Sequence, residues 1–153
     1  MELKASLRRK NEQTDMVATD VHTPQTIQQQ RAAFSYERVR AMVSGNTPDD
    51  KAPERFKAYA NSFPAKVQMN GLGQALAFAR SKFGTTAEGK AWQHLYQLVS
   101  DWLARPEGCF LNQDVLEGIM SSDMQVYRQA QAEVQALMVW VKQFARAEIR
   151  GGD

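Results

Sequence analysis

Apolar side chains recur along most of this chain at steps of three and four, the spacing that places them on one face of an α-helix. The pattern is clearest in the last long segment, whose apolar positions are Val126, Ala130, Val134, Leu137, Val141 and Phe144. No segment shows the sustained two-residue alternation of a half-buried strand. The pattern therefore predicts an all-α fold, a single-domain irregular bundle of five or six helices.

Capping residues and breakers predict where the first helices begin and end. Thr23 followed by Pro24 predicts the start of a helix that ends near Ser44, before a Gly-Asn-Thr-Pro-Asp-Asp breaker. A second helix is predicted to begin at Pro53. Pro64 should kink or restart this helix, because proline has no N–H to donate to the preceding turn.

The remaining helices are predicted from further capping signals. Leu72–Phe83 has a helical apolar stripe, and Thr85–Glu88 has the pattern of a capping box that starts the next helix. Asp114 is expected to cap a short helix. Ser122–Gln125 is expected to cap the last and longest helix, which ends near Arg150.

Composition supports one domain of ordinary size. The chain has 153 residues, of which 43% are hydrophobic and 24% are charged. Residues 1–22 lack a sustained apolar period, so we predict a mobile polar N-terminal arm followed by a helical domain over residues 23–150.

Three features favour a cytoplasmic location. The single cysteine, Cys109, cannot form an intrachain disulfide, which is typical of a reducing compartment. The longest apolar run, Ala136–Val141, is far shorter than the roughly 20 residues of a membrane span. The basic segment Met1–Lys10 is followed by no apolar stretch, so we do not expect a secretory signal or a membrane partner.

The formal net charge of +2 hides an uneven distribution along the chain. Residues 51–105 carry eight basic and three acidic side chains, a net charge of +5, whereas residues 106–153 have a net charge of −3. Basic side chains on one face would attract phosphates and release counterions. The alternative is that they are scattered over several helices as ordinary solvated charge.

The residues do not indicate an enzyme. The chain has no Glu-x-x-His or Cys-x-x-Cys motif and no Gly-x-x-x-x-Gly-Lys-Ser/Thr phosphate-binding loop, so we expect no metal, no cofactor and no small-molecule substrate. His22 and His94 lie far apart and are interpreted as surface or core-edge groups. Cys109 is interpreted as a small hydrophobic side chain, and Asp114 and Glu117 as cap residues rather than an acid–base pair.

Two segments are not explained by a helical bundle without a catalytic site. Ala136–Val141 is apolar around the whole helix, which is typical of a central helix or of one partly buried against another protein. Gly71 and Gly73 lie near the start of an alanine-rich helix, where each costs about 1 kcal/mol relative to alanine. Glycines at such positions allow close approach by a backbone, a packed helix or a phosphate.

The glycines belong to a segment with a family resemblance. Asn70–Phe78, with the sequence Asn-Gly-Leu-Gly-Gln-Ala-Leu-Ala-Phe and preceded by Phe63–Ala65, resembles the signature of the small α-helical subunit of type III-B CRISPR effector complexes, the Cmr complexes. The resemblance covers roughly residues 26–150. Further positions agree with that family in order and spacing: Gln30-Arg31-Ala32, Tyr36, Tyr96, Trp102-Leu103, Tyr127-Arg128, Leu137, Trp140-Val141 and Phe144-Ala145.

The resemblance implies a non-catalytic structural subunit in antiviral defence. In this family, copies of the small subunit stack beside a helical backbone of repeat-binding subunits. Together they line the channel in which guide RNA pairs with an invading transcript, while RNA cleavage belongs to other subunits. The implied partners are the other subunits, further copies of this chain, and the guide RNA and target RNA.

Candidate contact residues follow from this hypothesis. We expect contacts to RNA from the residues around the motif, which are Lys57, Lys66, Asn70, Arg80, Lys82 and Lys90. We expect contacts to neighbouring subunits from Leu137, Met138, Trp140 and Phe144 of the last helix.

Two functions from other classes remain as alternatives. One is a stand-alone helical adaptor that binds another protein through the last helix and has no RNA role. The other is a DNA-binding regulator, which is disfavoured because Leu72–Phe83 offers only Gln74 and Arg80 as base-reading side chains.

Overall fold

A computed structural model of the chain describes residues 24–45, 47 and 49–151, and these form six α-helices and no strand. The predicted all-α class is confirmed. The predicted arm over residues 1–22 and the predicted cap Thr23 lie outside the described residues. In chain order the helices are α1 (Ile27–Ser44), α2 (Ala52–Asn70), α3 (Leu72–Ser81), α4 (Ala87–Leu103), α5 (Val115–Ser121) and α6 (Met124–Glu148).

Helix α1 begins three residues later than predicted. Thr26 is its N-cap: the Thr26 hydroxyl accepts from the Gln29 backbone N–H at 3.1 Å, and the Gln29 side-chain oxygen accepts from the Thr26 N–H at 2.8 Å. This reciprocal capping box satisfies two N–H groups. Proline at position 24 therefore precedes the helix instead of opening it.

Two other predicted caps are wrong by one residue. Thr86, not Thr85, caps α4 by accepting from the Gly89 N–H at 3.0 Å. Asp123, not Ser122, caps α6 by accepting from the Val126 N–H at 2.9 Å. In both places two neighbouring residues have cap-forming side chains, and the backbone angles select between them. The prediction that Asp114 caps α5 is confirmed.

Helix α2 continues through Pro64 without the predicted restart. The Pro64 carbonyl accepts a hydrogen bond from the Gln135 side chain of α6 at 2.9 Å. Packing against neighbouring helices therefore holds α2 together across a residue that disrupts isolated helices.

Helix α4 lies at the centre of the bundle, since ten of its seventeen residues are buried. Helix α1 packs on α6, α2 packs between α4 and α6, and α3 covers α2 and α4. The core extends through α4 by way of Trp92, Leu95, Tyr96, Val99, Trp102 and Leu103. None of the helices in the described part of the chain is long and apolar enough to cross a membrane.

Candidate nucleic-acid interface

The turn between α2 and α3 requires Gly71. Its backbone has φ of +85°, a conformation that glycine adopts without steric cost. Its N–H ends α2 by donating to the Val67 carbonyl at 2.7 Å. A Cβ atom at this position would lie 2.9 Å from the Tyr127 hydroxyl oxygen. Gly71 therefore allows both a sharp turn and the close approach of α6.

The N-terminus of α3 is occupied by side chains of α6. The Leu72 N–H donates to Gln131 Oε1 at 3.0 Å, and the Gly73 N–H donates to the Tyr127 hydroxyl at 3.1 Å. These are two of the N–H groups that a phosphate at a helix N-terminus would use. The sequence left open whether a backbone, a packed helix or a phosphate lies close to Gly71 and Gly73. In the structure a packed helix, α6, lies there.

Two of the predicted cations meet at one exposed aromatic ring. Lys66 of α2 places its Nζ 4.0 Å from the centre of the Phe78 ring, and Lys82 at the end of α3 places its Nζ 5.3 Å from it. Phe78 is 38% exposed. Ammonium groups at these distances are attracted to the ring quadrupole. We call Lys66, Phe78 and Lys82 the Phe78 patch.

Other aromatic rings hold Phe78 in place. Trp92 meets Phe78 edge-on, with the ring centres 5.3 Å apart, and Tyr59 stacks on Trp92 at 4.2 Å. Burial raises the pKa of Tyr59, so its hydroxyl stays neutral at physiological pH. The Phe78 patch is therefore built on a rigid aromatic support from α2 and α4.

A groove of about 440 Å³ borders this patch. Its lining residues are Lys66, Asn70, Gln74, Ala75 and Phe78. Asn70 follows Lys66 by four residues on α2, and Gln74 precedes Phe78 by four residues on α3, so each pair shares a helix face. The structure thus brings three predicted RNA-contact residues, Lys66, Asn70 and Lys82, to one surface.

Arg80 lies on a different face from the Phe78 patch. Residues two apart on a helix point about 200° apart, which separates Arg80 from Phe78 and Lys82. The Arg80 guanidinium donates to the Tyr96 hydroxyl at 3.3 Å and lies 3.8 Å from an Asp114 carboxylate oxygen. A carboxylate therefore faces the Arg80 charge.

Tyr96 connects Arg80 to Asp114. The Tyr96 hydroxyl donates to the Asp114 carboxylate at 2.7 Å, and burial together with this hydrogen bond raises the pKa of Tyr96 to about 12. The same carboxylate caps α5 by accepting from the Leu116 N–H. Asp114 is thus committed to structural hydrogen bonds.

Lys57 and Lys90 belong to other parts of the surface than the Phe78 patch. Lys57 donates to the Gly151 carbonyl at 3.0 Å. It precedes Lys66 by nine residues, which places it on the opposite side of α2. Lys90 is exposed in the first turn of α4. The predicted set of six residues therefore does not form one face.

The partner-interface prediction needs a correction. Leu137 and Met138 have no exposed surface and belong to the core, so they cannot contact a partner in this fold. Trp140 and Phe144 are half-buried and stack on each other with ring centres 6.0 Å apart. Val139, which the sequence did not single out, is 60% exposed.

Sequence reasoning also missed a cluster around Glu133. The Glu133 carboxylate accepts from the Arg31 guanidinium at 2.8 and 2.9 Å and from the Trp102 indole N–H at 2.9 Å. Arg105 stacks on Trp102 at 3.7 Å and lies 3.9 Å from Glu133. The Arg31 hydrogen bonds lower the pKa of Glu133 below its ordinary value. We call Arg31, Trp102, Arg105 and Glu133 the Glu133 cluster.

The surroundings of Cys109 and His94 do not favour the charged forms of these side chains. Burial raises the pKa of the Cys109 thiol, which keeps it protonated at neutral pH. Burial lowers the pKa of His94, whose Nε2–H donates to the Arg38 carbonyl at 2.8 Å. In the part of the chain that the structure describes, no three His, Cys, Asp or Glu side chains are grouped to hold a metal.

Comparisons with known proteins agree with the resemblance seen in the motifs. Residues 27–148 match the model of the family described as CRISPR-associated protein (Cas_Cmr5). The fold is similar to the crystal structure of a CRISPR-associated Cmr5 family protein from Thermus thermophilus, with a TM-score of 0.61 and 28% sequence identity. That match covers 83% of this chain and 100% of the other. This chain therefore belongs to the Cmr5 family, the small subunits of type III-B CRISPR (Cmr) complexes.

Proposed function

We propose that this chain is the non-catalytic small subunit of a type III-B CRISPR ribonucleoprotein, where it stacks beside backbone subunits and helps line the channel for guide and target RNA. Membership of the Cmr5 family supports the place in the complex. The other subunits, further copies of this chain and the two RNAs are its proposed partners, and the cytoplasm is its proposed location.

The observation that carries the RNA role is the uncompensated charge of the Phe78 patch. Among the described residues, neither Lys66 nor Lys82 forms an ion pair with a carboxylate. Such ammonium groups gain most from a phosphate, because binding releases condensed counterions from the nucleic acid. Contacts of this kind are independent of sequence, which suits a complex whose specificity comes from base pairing.

Protein contacts are proposed for the outer side of α1 and α6. Tyr36 is 44% exposed and packs edge-on against Phe144, with the ring centres 5.4 Å apart. Trp140 donates its indole N–H to Gln28 at 2.8 Å, and Val139 lies beside it. Aromatic side chains such as these are enriched in protein interfaces.

Charge reversal in the Phe78 patch tests the RNA role. We expect a Lys66→Glu/Lys82→Glu variant, assembled into a reconstituted complex, to bind target RNA at least tenfold more weakly. The slope of log affinity against log salt concentration should become shallower by about 1 to 2, since each lost phosphate contact removes roughly 0.7 to 0.9. Filter binding over a salt series measures both quantities.

The matched control is Lys51→Glu, a charge reversal at the start of the same helix. Lys51 is fifteen residues from Lys66, or about 22 Å along α2, and its side chain is 65% exposed. This variant should bind RNA within about twofold of the unchanged complex. Equal losses in both variants, or none in the patch variant, would remove the Phe78 patch from the proposed RNA channel.

The stand-alone adaptor remains a second candidate because Val139 leaves an apolar side chain exposed on α6. Purification of the chain from its native cells separates the two functions. A stoichiometric particle that contains guide RNA and several subunits supports the proposed role, whereas one protein partner without RNA supports the adaptor.

A further inference from the structure

The groove beside the Phe78 patch has the features of a small ligand site. Its volume of about 440 Å³ lies in the range of such sites, and its wall combines one aromatic ring with a few polar groups. The polar groups at its edge are the side-chain amides of Asn70 and Gln74. Neither amide hydrogen-bonds to another described residue, so their donors and acceptors are available to a ligand.

This combination matches the chemistry of an unpaired nucleotide. An aromatic ring offers a stacking surface for any base, and amide side chains can donate to and accept from the edge of a base. Lys66 and Lys82 supply the charges that the adjoining phosphates need. Among the described residues Lys66 makes only cation–π contacts, to Phe78 at 4.0 Å and to Trp92 at 5.9 Å, so it can move from the rings to a phosphate as a base arrives.

A base paired within a duplex does not fit this geometry. Phe78 is only 38% exposed and lies at the wall of a groove between α2 and α3. A base must leave its stack to lie flat on a ring in the wall of this groove, as in proteins that recognise splayed-out bases of single-stranded RNA. Duplex RNA can reach the two ammonium groups but not the face of the ring.

We propose that the groove binds one unpaired nucleotide of RNA, with its base stacked on Phe78, its edge contacted by Asn70 and Gln74, and its phosphates at Lys66 and Lys82. This inference rests on the proposed RNA role. It adds a preference for unpaired over paired RNA at the same surface.

The test uses the full chain at low salt with two probes, a single-stranded RNA that contains 2-aminopurine and a blunt RNA duplex of the same length. A Phe78→Leu variant should bind the single strand at least fivefold more weakly and lose the fluorescence quenching that stacking causes. The affinity of this variant for the duplex, and the salt dependence of that affinity, should change by less than twofold, because no charge is removed. A Phe78→Tyr variant should restore binding and quenching, since it keeps the ring.

The outcomes distinguish this inference from the RNA role on which it rests. If Lys66→Met/Lys82→Met weakens binding of both probes while Phe78→Leu changes neither, the phosphate contact stands and the nucleotide site is wrong. If Phe78→Leu weakens both probes equally, the preference for unpaired RNA is wrong. If the lysine variant also changes nothing, the RNA role fails as well. Thermal unfolding of each variant shows whether the fold is intact.

Discussion

Two clusters in this protein place a cation against an aromatic ring at similar distances. The Arg105 guanidinium lies 3.7 Å from the centre of the Trp102 ring, and the Lys66 ammonium lies 4.0 Å from the centre of Phe78. The Glu133 cluster contains a carboxylate within reach of both its arginines, and the Phe78 patch contains none. The clusters also differ in exposure: the Arg31 and Glu133 side chains are 13% and 19% exposed, whereas Phe78 is 38% exposed.

The two clusters therefore differ in whether the cation beside the ring is neutralised by a carboxylate. In the Glu133 cluster, partly buried charges neutralise one another and join α1, α6 and the end of α4. In the Phe78 patch neither lysine forms an ion pair with a carboxylate of the described residues. The proposed RNA surface is the Phe78 patch rather than the Glu133 cluster, because a carboxylate lies within reach of both arginines in that cluster.

The largest expected effect is on stability and belongs to the Glu133 cluster. Glu133→Gln removes the negative charge that Arg31 and Arg105 face, so we expect the free energy of unfolding to fall by about 2 to 3 kcal/mol. Urea unfolding followed by circular dichroism measures it.

The matched control for this prediction is Lys66→Met in the Phe78 patch. It should change the free energy of unfolding by less than about 1 kcal/mol, because the lysine has no carboxylate partner among the described residues. A larger loss for Lys66→Met than for Glu133→Gln would reverse the comparison of the two clusters.

Acid should weaken the Glu133 cluster progressively. Because the folded pKa of Glu133 lies below its ordinary value of 4.5, the cluster contributes fully above about pH 4.5. This contribution is lost as the pH falls through the lower folded pKa. Unfolding measured between about pH 6 and pH 3 should therefore show a steeper loss for the unchanged chain than for Glu133→Gln. Parallel curves would mean that Glu133 is not the group responsible.

A smaller effect is expected when a carboxylate is placed in the Phe78 patch. In Asn70→Glu the new side chain lies four residues after Lys66, within reach of an ion pair on the same face of α2. Target-RNA affinity of the assembled complex should fall about threefold to tenfold, because one ammonium is then neutralised. Asn70→Gln is the uncharged control and should bind nearly as the unchanged chain does.

The smallest effect is expected at Arg80, whose charge already faces Asp114. Arg80→Met should leave target-RNA affinity within about twofold, whereas Lys82→Met, two residues further on, should lower it more than Arg80→Met does. Parallel binding curves at one salt concentration test this pair. A greater loss for Arg80→Met would show that the Asp114 carboxylate does not occupy Arg80 in the complex.

Most helices were predictable because their signals are local. The apolar steps of three and four determine which face of each helix is buried, and the Asp114 cap was predicted from its cap-forming side chain with Glu117 three residues later. The errors at Thr85 and Ser122 arose where neighbouring residues can both cap, because side-chain chemistry alone does not distinguish them. The restart predicted at Pro64 was wrong, because the packing of α2 on α4 and α6 outweighs a local defect.

The candidate site was predictable only in part. Gln74, Phe78 and Lys82 lie four residues apart, so the sequence contains the signal for one face of α3. Trp92 and Tyr59 come from other helices, and their support of Phe78 depends on tertiary contacts. The apolar stripe of the last helix included Leu137, which is buried. The run that is apolar on all sides did not show that Met138 is buried while Val139 is exposed.

The sequence by itself determined the all-α class, most helix positions and the motif that places the chain in its family, because all of these depend on residues close together in the chain. Only the tertiary structure decided which cations remain available. Lys66 and Lys82 meet over Phe78, Arg80 meets Asp114, and Arg31 meets Glu133 across a separation of 102 residues. A carboxylate neutralises a cation only within a few ångströms, and the packing of the helices sets those distances.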